Sequence, residues 1–194
     1  MKHFPLAAAI FEGSLVPVAI GLGWLLKSPP LATLHVEGYA ALLGLAATLP
    51  PLTLFWLCLK CPWRPFAEIA KITDETLVPL FRDCRLVELA IIATLAGIGE
   101  EMLFRGVIQA AAAVEIGGQR GVWLGLLLAS VLFGLLHAIT PTYAILAGLI
   151  GLYLGGLWLA SGNLLTPVVA HGAYDFLALM YLMRARGQRP GIGD

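Results

Sequence analysis

The chain has 194 residues, 59% apolar and only 12% charged, with twelve basic residues balancing twelve acidic ones. Soluble domains carry about 25% charge, so the composition points to an all-α, polytopic membrane bundle and argues against a water-soluble globule. Zero net charge leaves no basic surplus for nucleic acid.

The apolar run 4–26 follows Lys2 and His3 and superficially resembles a secretory leader. It exceeds the ~7–15 residues of a leader's apolar core, Glu12 interrupts it, and no clean small-residue cleavage site follows. It reads as the first membrane span. A span needs about 20 mostly apolar residues, and six stretches qualify: 4–26, 39–59, 86–113, 121–139, 141–160 and 163–183. Lys27-Ser-Pro-Pro, the Gly-Gly pair between Glu115 and Arg120, Thr140-Pro141 and Ser161-Gly162-Asn163 punctuate them. Short connections make spans four to six antiparallel neighbours, and Pro50-Pro51 predicts a kink in span two. Gly148, Gly151 and Gly155 allow close helix packing in span five.

Between spans two and three, segment 60–85 mixes Lys60, Arg64, Lys71, Arg82 and Arg85 with Glu68, Asp74, Glu75 and Asp83. Phe66, Ile69, Ile72 and Leu77 recur at near-helical spacing, which predicts an amphipathic helix on the membrane surface; the alternative is a polar loop. The chain is thus one membrane domain: two N-terminal spans (1–59), the amphipathic segment (60–85), a four-span core (86–183) and a tail (184–194). Cys58, Cys61 and Cys84 are too few for a disulfide framework and read as free thiols, with juxtamembrane acylation the alternative.

Basic residues near span ends set orientation. With the N-terminus cytoplasmic, Lys2, the five basic residues of 60–85, Arg184, Arg186 and Arg189 fall inside, and only Lys27 and Arg120 outside. This predicts both termini in the cytoplasm and residence in the plasma (inner) membrane.

Charges inside spans are costly, about 2.5–3.5 kcal/mol each at the bilayer centre on insertion scales, yet several sit together here. Span three carries Glu88, Glu100, Glu101 and Arg105, and span six carries His171 and Asp175. His137 ends span four, and Glu12 stands alone in span one. Glu88 is near enough to a span end to reach the interface. Glu101 and Arg105 are i, i+4 and share a helix face, where the arginine can brace the carboxylate. Glu100 points about 100° away and is left to face the interior as a candidate general base. His171 and Asp175 share a face in the same way, as do Phe133 and His137. Each pair alone reads as a structural clasp; together they bring acids, an arginine and two histidines from three spans towards one interior.

Glu100-Glu101-Met-Leu-Phe-Arg105 resembles the E-E-x-x-x-R motif of the CPBP family of intramembrane proteases, also called the Abi or CaaX-protease family. Phe133-Gly-Leu-Leu-His137 resembles its F-x-x-x-H motif, and His171-Gly-Ala-Tyr-Asp175 its H-x-x-x-N/D motif. The resemblance covers about residues 86–183 and leaves the first two spans unmatched. It implies a glutamate-dependent endopeptidase without cofactor, acting on peptide or protein substrates such as prenylated C-termini. In that scheme Glu100 and His137 activate water, His171 and the residue at 175 stabilise the oxyanion, and Glu101 and Arg105 orient the others. Many members have Asn where this chain has Asp175. An ionised Asp cannot donate to an oxyanion, so Asp175 is expected to orient His171 instead.

Two other classes remain open. Glu100, His137 and His171 could ligate a divalent metal, although no H-E-x-x-H is present, and some family members serve as membrane scaffolds or immunity proteins. No inverted repeat supports a transporter.

Overall fold

A computed structural model describes residues 4–185. Lys2, His3, Arg186 and Arg189, together with the rest of the expected tail beyond Ala185, lie outside the described residues. Among the described residues all regular structure is helical. The helices are α1 (Phe4–Leu25), α2 (Gly38–Ala46), α3 (Leu49–Lys60), α4 (Arg64–Ile72), α5 (Val78–Phe81), α6 (Leu86–Glu101), α7 (Ala110–Ile116), α8 (Gly118–Leu136), α9 (Pro141–Ser161) and α10 (Leu165–Ala185). Two π-helical stretches are inserted: π1 (Thr73–Leu77) joins α4 to α5, and π2 (Met102–Gln109) joins α6 to α7.

Five helical stretches are long and apolar enough to cross a membrane: Phe4–Leu25, Gly38–Lys60, Gly118–Leu136, Pro141–Ser161 and Leu165–Ala185. These match expected spans one, two, four, five and six. The expected third span, 86–113, is not among the five. It is helical throughout but divided by π2, and it carries the charges on which the site is built. In span two the break falls at Ala47-Thr48, just before the two prolines, which occupy the first turn of α3 where a missing N–H costs nothing.

Contacts between helices fix their directions. Gly23 lies beside Val107 and Gly99 beside Glu12, so α1 runs parallel to the helix 86–116. Arg105 and Gln109 bond to the carbonyls of Gly151 and Gly155, so α9 runs the same way. Gly134 packs on Ala144 and Gly148, making α8 antiparallel to α9. Thr48 reaches Ala170 and Phe55 reaches Tyr174 and Tyr181, so α2–α3 and α10 run parallel to each other. The bundle therefore alternates direction at each connection, and α4–α5 lies at the end where α3 and α10 finish.

α6 is the inner helix, packed between α1 and α10. A side chain at Gly97 would meet the Gly172 amide nitrogen at 2.8 Å and the Val168 carbonyl at 2.9 Å. Glycine at 97 thus permits backbone contact between α6 and α10. Gly99 does the same towards α1, where a Cβ would lie 2.8 Å from the Glu12 carbonyl. Outward positions such as Leu6, Ile10, Trp24, Leu124, Leu128 and Leu149 are apolar and exposed, which a lipid surround favours and water does not.

The amphipathic segment is helical, as the spacing predicts, but it is not one continuous helix. π1 interrupts it, and Ile69, Thr73, Leu77 and Phe81 face a cavity inside the bundle. Phe81 also meets Phe4 edge to face, with centroids 4.9 Å apart, tying the segment to α1. Glu88 accepts the Arg85 amide at 2.7 Å and its guanidinium at 3.1 Å, closing the N-terminus of α6.

Candidate active site

The two glutamates at the end of α6 go to different environments, as their 100° offset requires. Glu101 is fully buried. Its Oε1 accepts from Arg105 Nη1 at 2.8 Å, so the i, i+4 brace forms across the start of π2. Arg105 Nη2 donates to the Gly151 carbonyl at 2.8 Å, and the guanidinium lies 5.1 Å from the centroid of the Phe133 ring. Gly151 allows close packing of α9 on Ser130 and Phe133 of α8, and its carbonyl is also the arginine's second acceptor.

His171 is brought to the same oxygen. Its Nδ1 lies 2.8 Å from Glu101 Oε1. A carboxylate only accepts, so Nδ1 carries the proton in this bond and Nε2 points into the cavity. Asp175 Oδ2 sits 3.4 Å from that Nε2. Asp175 is thus in contact with His171, as expected of it, at the cavity-facing nitrogen. The shorter bond comes from Glu101, through the α6–α10 contact at Gly97 and Gly172.

His137 follows the last residue of α8. Its Nδ1 lies 2.8 Å from the Phe133 carbonyl, an acceptor, and so donates there. The imidazole stacks on the Phe133 ring at 4.4 Å. Phe133 thus fixes His137 twice, by carbonyl and by ring, and its ring also contacts Phe104, Arg105 and His171.

Glu100 occupies the space left between these groups. It is 8% exposed, and its Oε2 has no hydrogen-bonding partner. That oxygen lies 3.9 Å from Nε2 of His137 and 3.9 Å from Nε2 of His171. Buried polar atoms are usually paired, and this carboxylate oxygen instead faces two imidazole nitrogens without a bond to either. All six expected residues, Glu100, Glu101, Arg105, His137, His171 and Asp175, are brought together by α6–π2, the end of α8 and α10.

A cavity of about 300 Å³ runs from this cluster to the α4–α5 segment. Glu100, His137, His171 and Asp175 line it together with Tyr143, Tyr174 and Glu12; the remaining wall is largely apolar. Sequence spacing gave no reason to join Glu12, Tyr143 or Tyr174 to the site. Glu12 was visible as a charge within an apolar span, whereas tyrosines at helix positions carry no such signal. Among the described residues no group of three His, Cys, Asp or Glu side chains is arranged to hold a metal ion. Cys58, Cys61 and Cys84 are free thiols.

No curated protein matches the chain, and no solved structure does. Residues 83–177 match the family model described as type II CAAX prenyl endopeptidase Rce1-like. The match begins just before α6, ends two residues after Asp175, and contains all six clustered side chains. The family is one of proteases, and the match supports a CAAX-type intramembrane protease at that level. Over residues 83–177 the chain is similar to the Rce1-like endopeptidases of the CPBP family.

Proposed function

We propose that the chain hydrolyses a peptide bond within the membrane using water activated by Glu100. The observation that carries this reading is the bare Glu100 Oε2 facing Nε2 of both histidines at 3.9 Å. Water placed between these three atoms loses a proton to the Glu100 carboxylate as its oxygen attacks the carbonyl carbon. The proton then passes to the leaving amine, so Glu100 acts as base and afterwards as acid. In its doubly protonated form His171 presents Nε2–H to the oxyanion, while Glu101 holds the ring through Nδ1. The apolar walls accommodate apolar residues or a prenyl chain, and the family's name favours prenylated substrates.

The orientation follows the basic residues: both termini cytoplasmic, with the α4–α5 segment on the cytoplasmic face of the plasma (inner) membrane. Purified protein in lipid nanodiscs, incubated with prenylated and unprenylated peptides, tests the reaction against Glu100→Gln. Cleavage by the wild type and loss of at least about 100-fold in the variant, the scale of one general base, supports the assignment. Retained activity in Glu100→Gln overturns it. Repeating the assay after strong chelation, with metal added back, separates water activated by Glu100 from water activated by a metal.

A further inference from the structure

Glu12 lies far outside the matched segment, yet it shares the site. Gly99 lets the α1 backbone at Glu12 approach α6 one residue before Glu100. The Glu12 side chain lines the cavity with Glu100 and Asp175 and lies within the electrostatic reach of Asp175 and His171. Its Oε2 is buried without a hydrogen-bonding partner, as is Oε2 of the 8%-exposed Glu100. Two carboxylate oxygens from different helices are therefore bare in one cavity.

Among the described residues no Lys or Arg lines that cavity. The buried guanidinium close by, Arg105, is engaged by Glu101, the Gly151 carbonyl and the Phe133 ring, and His171 is held at Nδ1 by Glu101. Three carboxylates thus face two imidazoles in a space otherwise walled by residues such as Leu54, Ile92, Ala96 and Ala178. Uncompensated carboxylates in apolar surroundings are costly, and a cation entering between them offsets that cost. A free carboxylate in the same place would meet three acidic side chains. We propose that Glu12 is a substrate-binding carboxylate, and that the cavity takes a positively charged group, a Lys or Arg side chain or an ammonium, flanked by apolar residues near the scissile bond. This deepens the proposed hydrolysis by naming its substrate class.

The test uses apolar fluorogenic peptides identical except for Lys, norleucine or Glu beside the cleaved bond, in nanodiscs of uncharged lipid. Cleavage is measured with wild type, Glu12→Gln, Glu12→Asp and Glu12→Lys, and binding of the same peptides with Glu100→Gln. The expected result is at least a tenfold preference for Lys over norleucine in kcat/KM. Glu12→Gln should lose most of that preference through KM, Glu12→Asp should keep it, and Glu12→Lys should favour the Glu peptide. Equal handling of Lys and norleucine by the wild type, or an unchanged preference in Glu12→Gln, overturns the proposal while leaving Glu100-dependent hydrolysis intact. Where no peptide is cleaved, prenylated or unprenylated, the hydrolytic reading fails, and binding to Glu100→Gln still decides the charge preference. Should Glu12→Gln not fold, the wild-type comparison of Lys with norleucine decides it alone.

Discussion

His171 Nδ1 and Glu101 Oε1 are joined across 70 residues of sequence by a 2.8 Å hydrogen bond, on the same oxygen that receives Arg105. One buried atom therefore links α6, π2 and α10, and the arginine carries the link on to α9 through Gly151. The imidazole is aimed by the same carboxylate that the arginine braces.

Removing either side of that link should damage the fold before it damages chemistry. Breaking a buried ion pair by deleting one partner costs about 3–5 kcal/mol. Glu101→Gln and Arg105→Ala are expected to lower the unfolding midpoint in detergent by several degrees or to abolish expression. Thermal unfolding followed by tryptophan fluorescence measures this. A Glu101→Gln protein as stable as wild type would show that the oxygen is not a structural junction.

Asp175 should matter less than an orienting carboxylate would. Loss of an orienting partner costs 10–100-fold, but here Glu101 supplies the orienting bond and Asp175 stands 3.4 Å from the opposite nitrogen. Asp175→Asn is expected to keep its fold and remain within about tenfold of wild-type kcat/KM. A loss near 100-fold with unchanged stability would return the orienting role to Asp175.

Gly97→Ala tests whether the α6–α10 contact sets the geometry. The added methyl would lie 2.8 Å from backbone nitrogen that cannot rotate away, so the helices must separate. Overpacking of this kind costs about 1–3 kcal/mol, and the separation lengthens the bond from Glu101 to His171. The expected outcome is a moderate loss of thermal stability with a disproportionate loss of activity. A protein unchanged in both would mean the contact is slack.

Local rules recovered the pairs that lie on one helix and failed where helices meet. Glu101 and Arg105 were legible because i, i+4 spacing fixes their face, and the break in span two was legible from Pro50-Pro51. The partnership of Glu101 with His171 was not, because it depends on the backbone approach at Gly97 and Gly172. Phe133 looked like a motif position at helical spacing from His137. That its carbonyl and ring both hold the imidazole depends on α8 ending at Leu136. The amphipathic pattern in 60–85 identified a helix, but not that its apolar residues would face a cavity. Nothing in Met102–Gln109 announced a π-helix, an uncommon form found disproportionately at functional sites.

Orientation is open to direct measurement. Single cysteines introduced near positions 35 and 118 in a background lacking Cys58, Cys61 and Cys84 should react with an impermeant maleimide in intact cells. A cysteine near position 70 should react only after the cells are opened. Labelling at 70 in intact cells would reverse the assigned orientation.

The placement of Glu100 also has a consequence for the direction of turnover. Its α6–π2–α7 helix runs 31 residues from Leu86 to Ile116, so at about 1.5 Å per residue Glu100 lies roughly 21 Å from the start, well within a hydrocarbon core of about 30 Å. On the proposed reaction, an amide that enters this depth uncharged leaves as a carboxylate and an ammonium. Each new charge raises the cost of staying by about 2.5–3.5 kcal/mol on insertion scales. Substrate can partition in from lipid, whereas product is expelled towards water, and the membrane itself works against the reverse reaction.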